Sequence, residues 1–396
     1  MNIAILIPTL TTGGAERAAA ELGKHLFHKC DKVYYFLLAN SGRSFFDIDG
    51  EIIKTHINYP FVGSDVINNF REMMFAARSL KRFKQKYRID VCISFMEGCN
   101  VLNILSKQKD EKVIISIRTV LSERREYDGV FLYDRRLLGK IYPFADKIVA
   151  VSSGVKEDLA LNYGIKKNNI VIIPNAAERR RFEDDYFRED IEWLYGDKTV
   201  VCVGRMDPVK QFDSVLRAFS VTHNMFPQGR LIFVGDGRQM NYMKTLRHEF
   251  GLDEVVIFAG FQKDVGVYLA NAGCFVMASK AEGFPNAMVE AMAYGVPVIS
   301  TDSPGGCGEI LGKSKHITGT VYCEYGVMTP RIQRSSEVSE KITPEEKTLG
   351  MAMYEMLSNQ DLNARYRAKS IIRAKYYSRT NVMGLWDRVI WDETVE

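Results

Sequence analysis

The sequence contains seven cysteines in 396 residues but no pair spaced Cys-x-x-Cys. Most of these cysteines lie inside or beside apolar runs. The seven are Cys30, Cys92, Cys99, Cys202, Cys274, Cys307 and Cys323. This distribution disfavours a disulfide framework and a zinc site. It indicates core thiols in a protein of a reducing compartment.

No stretch approaches 18 uninterrupted apolar residues, so the sequence predicts no membrane-spanning helix. The first residues, MNIAILIPTLTTGG, carry no charged leader, and their apolar run is short. We therefore interpret this run as a first strand and not as a signal peptide. We expect a cytoplasmic protein, or one that is peripheral to a membrane.

The chain also lacks a strong charge bias, since its formal net charge is +4 at pH 7. Such a small excess gives no argument for nucleic acid as a partner. With 46% hydrophobic and 26% charged residues, the composition is that of a globular protein. The length allows two domains with separate cores.

Short β-branched apolar runs alternate with longer helical patterns along the whole chain, which is typical of parallel βαβ units. The predicted strands are 2–10, 33–39, 91–96, 113–118, 147–152, 170–175, 199–204, 231–236, 255–260, 274–279 and 297–301. The polar stretch 176–198 separates the two sets of strands. We predict an α/β protein with two Rossmann-like parallel-sheet domains facing a central cleft, in which ligands bind beyond the carboxyl ends of the strands.

Two turns that follow predicted strands have the composition of phosphate sites. Gly13 and Gly14 lie between a strand and a helix, where backbone N–H groups favour an anion, although a plain tight turn would have the same sequence. Arg205 and Lys210 lie on a turn held by glycine and proline and could bind a diphosphate. The alternative for this pair is a solvated basic loop.

The stretch SKAEGFPNAMVEAMAYGVPVIST (279–301) places Glu282 and Glu290 eight residues apart around a strand-to-helix turn. Glu290 lies in an almost wholly apolar helical run, where a carboxylate is costly to desolvate without a partner. Hydroxyl groups of a sugar ring and of a ribose would satisfy the two carboxylates. Arginine or lysine partners would satisfy them as well.

These motifs together resemble the retaining glycosyltransferases of family 4, which have the GT-B fold. The resemblance covers nearly the whole chain. Its motifs are Gly13-Gly14-Ala-Glu-Arg, Gly-Arg205-x4-Lys210, Val234-Gly-Asp-Gly237, and Glu282-Gly-Phe-Pro-x4-Glu290 with the following Gly-Val-Pro.

The resemblance implies a role for each matching residue. Arg205 and Lys210 would hold the diphosphate of a nucleotide-sugar donor, helped by the backbone of Gly14. Glu282 would bind the donor sugar hydroxyls beside Gly283 and Phe284, and Glu290 would bind the ribose. The catalytic set is then Arg205, Lys210 and Glu282, and the substrate-binding set is Gly13, Gly14, Arg118, Phe261, Gly283, Phe284, Pro285, Asn286 and Glu290, with Phe261 near the nucleobase.

The resemblance further implies an N-terminal acceptor-binding domain at 1–185 and a nucleotide-sugar-binding domain at 186–375. A C-terminal helix at 376–396 would pack back on the first domain. By its own pattern the last stretch, 342–396, is helical, with docking residues Tyr376, Tyr377, Leu385 and Trp386. The polar stretch 329–345 is predicted to be a surface loop.

Arg118 marks a departure from the family pattern. Many members carry a histidine near the transferred sugar, whereas the corresponding strand here ends in Arg118, and none of the six histidines has a comparable position. We predict no metal and no cofactor other than the nucleotide-sugar co-substrate, with UDP favoured. The Asp47-Ile48-Asp49 triplet lies far from the donor motifs, and short motifs mean little without context.

Residues 71–88 form a basic amphipathic pattern with Met73, Met74, Ala77, Leu80, Phe83 and Tyr87 on one face. Such a helix can lie on an anionic leaflet or bind a lipid diphosphate. A core helix with a solvated basic face is an equal alternative. The first reading predicts a polyprenyl-diphosphate-linked saccharide acceptor at the inner face of the plasma membrane.

The family implies front-face displacement, in which the departing phosphate assists deprotonation of the acceptor, because no nucleophile is expected beneath the anomeric carbon. Two rival functions remain. A nucleotide-sugar 2-epimerase would need acid and base residues, including histidines, in the cleft. A non-catalytic sugar-nucleotide-binding protein would not need Arg205, Lys210, Glu282 and Glu290 together.

Overall fold

A computed structural model describes residues 1–11, 13–39, 44, 46–57, 66–128, 135–177, 196–270, 272–313, 317–333 and 341–392. In these residues the strands are β1 (Asn2–Ile7), β2 (Lys32–Leu37), β3 (Glu51–Lys54), β4 (Val91–Phe95), β5 (Lys112–Ile117), β6 (Lys147–Ala150), β7 (Ile170–Ile172), β8 (Thr199–Val203), β9 (Arg230–Val234), β10 (Val256–Gly260), β11 (Cys274–Met277), β12 (Val298–Thr301), β13 (Val321–Tyr322) and β14 (Val327–Thr329). The helices are α1 (Gly14–Phe27), α2 (Val66–Lys86), α3 (Glu97–Leu105), α4 (Leu121–Asp128), α5 (Arg135–Ile141), α6 (Ser153–Tyr163), α7 (Phe212–Met225), α8 (Met240–Glu249), α9 (Gly266–Leu269), α10 (Asn286–Ala293), α11 (Cys307–Leu311), α12 (Pro344–Ser358), α13 (Gln360–Tyr376) and α14 (Arg379–Trp391).

The chain divides into two compact units. The first unit comprises Met1–Ala176 together with the segment that begins at Thr380, and the second unit comprises Ala177–Arg379. The predicted domain boundary between residues 185 and 186, and most of the predicted linker 176–198, lie outside the described residues.

The first unit contains a wholly parallel sheet of order β3-β2-β1-β4-β5-β6-β7. Every residue of β4 is buried, as expected of a parallel strand covered on both faces. On one side, α14 places Val382, Met383 and Trp386 in the same core as the side chains of β1 and β4. The Trp386 ring lies 6.2 Å from that of Phe95, measured between ring centres.

The second unit repeats this plan with the order β10-β9-β8-β11-β12-β14-β13, in which β13 alone pairs antiparallel. Its core is formed by β8, β9 and β11 with α7 and α12. At the start of helix α12, Thr343 and Glu346 form a reciprocal capping box, and Pro344 occupies the first turn.

Each predicted strand segment contains a strand, so the predicted α/β class is confirmed. Three short strands, β3, β13 and β14, were missed. The predicted surface loop 329–345 was wrong at its start, because Thr329 belongs to β14 and is fully buried. Tyr376 was also wrong as a docking residue, since 59% of it is exposed, whereas Tyr377 is fully buried.

Candidate functional site

The turn after β8 carries Arg205 and Lys210 at the carboxyl edge of the second sheet. Gly204 adopts φ 154°, and Pro208–Lys210 forms a short 3-10 helix that leads into α7. The turn is closed by the bond from the Lys210 amide to the Asp207 carbonyl, at 2.9 Å. A tight turn therefore fixes the backbone from which both cations project.

The turn after β9 packs directly on this one. The Gly204 amide donates to the Val234 carbonyl and the Met206 amide to the Asp236 carbonyl, each at 3.0 Å. A Cβ on Gly235 would lie 2.0 Å from the Gly204 carbonyl oxygen, so no larger residue fits there. The glycines of Val234-Gly-Asp-Gly237 thus serve a close backbone approach that holds the Arg205 turn.

Asp207 joins two exposed arginines at the rim of this edge. Its carboxylate oxygens lie 3.5 Å from Nε of Arg205 and 3.5 Å from Nε of Arg238. The two arginine side chains are 82% and 75% exposed, so both can reorient toward a ligand. Arg238 was missed in the sequence, although its position just after the glycine turn of β9 places it at the same edge.

Glu282 lies on the turn between β11 and α10, and the backbone that follows β12 holds it in place. The Glu282 amide donates to the Pro304 carbonyl and the Gly306 amide donates to the Glu282 carbonyl, each at 3.0 Å. Glu282 and Gly305 form an isolated parallel bridge. The segment Pro304–Gly306 was also missed, and its Gly-Gly pair after a predicted strand was the available signal.

Lys210 and Glu282 form an ion pair, with 2.5 Å between Nζ and Oε1. Both side chains are mostly buried, with 22% and 13% of their surface exposed. A bond from the Lys280 amide to the Val209 carbonyl, at 2.8 Å, ties the two turns together beside this pair. The structure therefore brings together two residues that the sequence places 72 positions apart.

The remaining residues of the motif follow Glu282 along the chain. Gly283, Phe284 and Pro285 are buried, and α10 begins immediately after Pro285, with Asn286 as its first residue. The Phe284 ring meets Tyr377 edge to face, with ring centres 5.3 Å apart.

Glu290 is half-buried within α10, four residues after Asn286. Phe261 follows β10 and is 61% exposed. Its ring is therefore accessible for stacking on another planar ring. Arg205, Lys210, Glu282, Phe261 and the motif around Asn286 all belong to the second unit.

Cys307 lies beneath the ion pair as the first residue of α11 and is fully buried. Burial, and then the nearby Glu282 carboxylate, raise the pKa of the Cys307 thiol to about 12. At neutral pH this thiol is therefore protonated, and it packs as a small apolar group.

Three of the predicted substrate-binding residues lie in the first unit. Gly13, with φ 154° and ψ 167°, precedes α1, and Gly14 is the first residue of that helix. The φ of Gly13 is one that residues with a side chain rarely adopt, so the turn favours glycine. Arg118 follows β5 directly at the same carboxyl edge of the sheet.

Two histidines of the second unit that the structure describes lie on helices. His223 is in the last turn of α7, and His248 is in α8, where Nδ1 contacts Asp253 at 3.0 Å. In the first unit, Nε2 of His25 lies 2.8 Å from the Asp387 carboxylate, and the His25 side chain is 19% exposed.

Within the residues that the structure describes, no group of three or more histidine, cysteine, aspartate or glutamate residues could hold a metal ion. Asp47 and Asp49 precede β3 in the first unit, and Ile48 between them packs on the core. No helix in the described part of the chain is long and apolar enough to cross a membrane.

Two family profiles match the chain, and together they span most of it. The profile described as "Glycosyltransferase Family 4" matches residues 12–181, and the one described as "Glycosyl transferases group 1" matches residues 184–327.

Curated relatives match most of the chain at low identity. The chain is 26% identical over 386 residues to "N-acetylgalactosamine-N,N'-diacetylbacillosaminyl-diphospho-undecaprenol 4-alpha-N-acetylgalactosaminyltransferase" of Campylobacter jejuni, covering 96% of this chain and 97% of the relative. It is 24% identical over 319 residues to the amylovoran biosynthesis glycosyltransferase AmsD of Erwinia amylovora, covering 78% and 83% of the two chains.

Solved structures share the fold at still lower identity. Anabaena HepE, solved in complex with UDP-glucose, superposes with a TM-score of 0.75 at 16% identity, covering 99% of this chain and all of that one. Sucrose-phosphate synthase of Thermosynechococcus elongatus superposes with a TM-score of 0.78 at 17% identity, covering 99% of each chain. The fold, the two profile matches and the shared motifs together show that the chain belongs to glycosyltransferase family 4 and has the GT-B fold.

Proposed function

We propose that the protein is a retaining glycosyltransferase that moves a hexose or N-acetylhexosamine from a nucleotide-sugar, with a UDP-sugar favoured, to a saccharide acceptor. The observation that carries this proposal is the cluster of Arg205, Lys210 and Glu282 at the carboxyl edge of β8 and β11. Ligands of doubly wound sheets bind at this edge. The cluster supplies two cations for a diphosphate and one carboxylate for hydroxyl groups.

When the donor binds, its diphosphate replaces Glu282 as the ion-pair partner of Lys210. Arg205 contacts the same phosphates. Its guanidinium is free to move there because it is exposed and because its Nε lies as far as 3.5 Å from the Asp207 carboxylate. Glu282, released from Lys210, accepts bonds from the sugar hydroxyls, and Glu290 accepts bonds from the ribose. UDP is favoured because the similar Anabaena protein was solved with UDP-glucose.

The chemistry depends on the charge that grows on the leaving diphosphate. Preorganised cations stabilise such charge, and by comparison with other preorganised electrostatic contacts each contributes about 2–4 kcal/mol. We propose front-face displacement without a protein nucleophile, in which the departing phosphate oxygen takes the proton of the attacking hydroxyl. Arginine and lysine perform the role that a metal ion has in other transferases, and we propose no cofactor.

For the acceptor we propose a saccharide on a polyprenyl diphosphate at the inner face of a bacterial membrane. Two relatives from Campylobacter jejuni have names that specify undecaprenol-linked substrates. Helix α2 supports a membrane contact because Arg78, Lys81, Arg82 and Lys86 are exposed along it, and Phe75 is 70% exposed. Basic residues near an anionic leaflet contribute about 1 kcal/mol each.

Lys84 does not belong to that face. Its side chain is completely buried, and Nζ lies 2.6 Å from Glu111 and 2.7 Å from Oδ1 of Asn103. The apolar face predicted for this helix is otherwise observed, with Met73, Ala77 and Leu80 buried.

The proposal is tested first by thermal shift with UDP- and GDP-sugars, since a bound ligand stabilises the fold by mass action. The donor that stabilises the protein is then incubated in labelled form with and without a diphosphate-linked saccharide. The proposal is supported if transfer depends on the acceptor and if NMR shows an axial linkage in the product of an axial donor, which means retention of configuration. Conversion of the donor sugar without an acceptor indicates the epimerase, and binding without turnover indicates a non-catalytic protein.

A further inference from the structure

The guanidinium of Arg118 is held in one orientation at the carboxyl edge of the first sheet. Its Nη1 donates to Oγ of Ser116 at 3.2 Å, and its Cζ lies 5.6 Å from the ring centre of Phe95, the last residue of β4. Ser116 and Phe95 are themselves fully buried. Ser116 belongs to β5, the strand that pairs with β4, so the support for the guanidinium comes from two neighbouring strands.

The other two nitrogens of this guanidinium have no partner. Nε and Nη2 are buried, and neither forms a hydrogen bond. In the described part of the chain, no carboxylate forms an ion pair with Arg118. Burial lowers the pKa of Arg118 to about 9, with no opposing contribution from a neighbouring acid. The side chain is therefore still a cation at neutral pH, and its charge is uncompensated.

Arg217 shows how this protein treats a buried arginine that has partners. Its Nη1 lies 3.0 Å from Asp213, and its Nη2 donates to the Tyr242 hydroxyl at 2.9 Å. Burial alone would lower the pKa of Arg217, but the bond to Tyr242 and the Asp213 carboxylate outweigh it and raise the pKa. Arg118 is only partly buried as a residue, but Nε and Nη2 of its guanidinium are buried without such partners, at a strand end where ligands bind.

The two unpartnered nitrogens of Arg118 determine which kind of ligand can bind them. Nε and Nη2 form one edge of the planar guanidinium, and this edge donates two parallel hydrogen bonds to two oxygens of one anion. Nη1 is already committed to Ser116. Glu97, at the start of α3 after the neighbouring strand β4, accepts a bond from the Thr119 hydroxyl at 3.4 Å.

The turn beside this edge is also strained. Met96, between β4 and α3, adopts φ 75° and ψ 151°. A residue other than glycine pays about 1–3 kcal/mol for such a conformation, which persists at functional sites. The strained turn and the unpaired cation both follow neighbouring strands of one sheet.

We propose that the Arg118 edge, formed by Nε and Nη2, binds an anionic group of the acceptor, either a sugar carboxylate or a phosphate. This inference rests on the proposed transferase function. It specifies the class of acceptor, which is an acidic saccharide or a saccharide with a phosphate near the attacked hydroxyl. A neutral acceptor would leave the buried cation uncompensated.

The test compares Arg118→Met with Arg217→Met by thermal unfolding of the whole chain. Both variants carry Lys210→Ala, which weakens anion binding at the donor site. Without added anion, Arg118→Met should keep or raise Tm, because it removes an unpaired buried charge. Arg217→Met should lower Tm by several degrees. A comparable loss in both variants would overturn the proposal.

The probes are sodium glucuronate, inorganic phosphate and, at the same ionic strength, sodium chloride with glucose. The parent in these measurements is the chain that carries Lys210→Ala alone. If glucuronate raises the Tm of this parent, and the increase is lost in Arg118→Met and reduced in Arg118→Lys, the bound group is a sugar carboxylate. The same pattern with phosphate alone indicates a phosphate. No anion-specific stabilisation, or equal stabilisation of parent and Arg118→Met, would overturn the proposal.

UDP affinity separates this inference from the transferase proposal. In an otherwise unchanged chain, Arg118→Met should retain UDP affinity within twofold and should raise KM for a uronic-acid-containing or phosphorylated acceptor at least tenfold. If the unchanged protein does not bind UDP, the proposed donor site is wrong. An acceptor KM that stays the same in Arg118→Met contradicts the Arg118 site.

Discussion

Lys210 and Glu282 are each other's ion-pair partners, at 2.5 Å, on two turns that follow neighbouring parallel strands. The cation proposed for the diphosphate and the carboxylate proposed for the sugar therefore neutralise each other before a donor binds. Under the proposed roles, donor binding would exchange this ion pair for contacts of Lys210 with the diphosphate and of Glu282 with the sugar hydroxyls.

Removal of either donor cation should slow transfer strongly. Arg205→Ala and Lys210→Ala each withdraw a positive charge from the leaving diphosphate, a loss of about 2–4 kcal/mol, or roughly 30- to 1,000-fold in turnover. Initial rates measure this loss, and unfolding curves check that both variants are folded. Lys244→Ala, which alters an exposed lysine of α8, is the control and should keep the full rate. Near-normal rates in both site variants would remove these residues from the site.

The two glutamates should differ in what they affect. Glu282→Gln should reduce transfer far more than UDP affinity, because Glu282 is proposed to contact the sugar. Glu290→Gln should weaken UDP binding, because Glu290 is proposed to contact the ribose. Calorimetric titration with UDP beside turnover rates distinguishes them. If both substitutions weaken UDP binding equally, the division of roles is wrong.

Activity should survive a chelator. Arg205, Lys210 and backbone amides are proposed to hold the diphosphate, so EDTA at millimolar concentration should leave the initial rate within twofold. The matched measurement adds Mg²⁺ or Mn²⁺ after EDTA. A complete loss in EDTA that either ion restores would falsify the metal-free site.

Helix α2 should bind anionic membranes through its exposed basic residues. Changing Arg78, Lys81, Arg82 and Lys86 to Gln should abolish co-sedimentation with vesicles that contain phosphatidylglycerol, and high salt should weaken it in the unchanged protein. Neutral vesicles are the control. Sedimentation that responds to neither lipid charge nor these substitutions would favour a soluble acceptor.

Lys84 on the same helix should matter for stability. Lys84→Met leaves Glu111 buried without its cation, at a cost of about 3–5 kcal/mol in the free energy of unfolding. Lys81→Met, three residues earlier and exposed, should cost close to nothing. Urea unfolding measures both. The double variant Lys84→Met with Glu111→Gln should recover part of the loss, and the absence of any recovery would argue against the ion pair as the cause.

The sequence predicted those features that local pattern determines. Strands such as β4 and β8 are continuous apolar runs, and the glycine and proline turns after them mark the carboxyl edge. The same reasoning predicted that Lys210 and Glu282 lie near one edge, because parallel strands deliver their following turns to one side of a sheet. Their direct contact depends on the order β8-β11, which no local pattern encodes.

What the sequence could not predict depends on contacts between distant segments. Lys84 fits the basic face of α2 by spacing, yet the fold brings Glu111 and Asn103 to it, and burial follows. The short strand β14 has only three residues and forms because β12 offers it an edge. The unpaired state of Arg118 likewise required the positions of Ser116 and Phe95 in three dimensions.

The first unit is interrupted in the chain, because α14 completes a core that begins at β1. During synthesis Met1–Ala176 emerges from the ribosome first, then the whole second unit, and only afterwards Trp386, whose side chain covers β4. At about 5–20 residues per second, translation of the roughly 200 residues of the second unit takes about 10–40 s. During that interval the second unit can finish folding, whereas the first exposes one apolar flank. A nascent chain of this protein is therefore a client for chaperones chiefly through its earliest-made half.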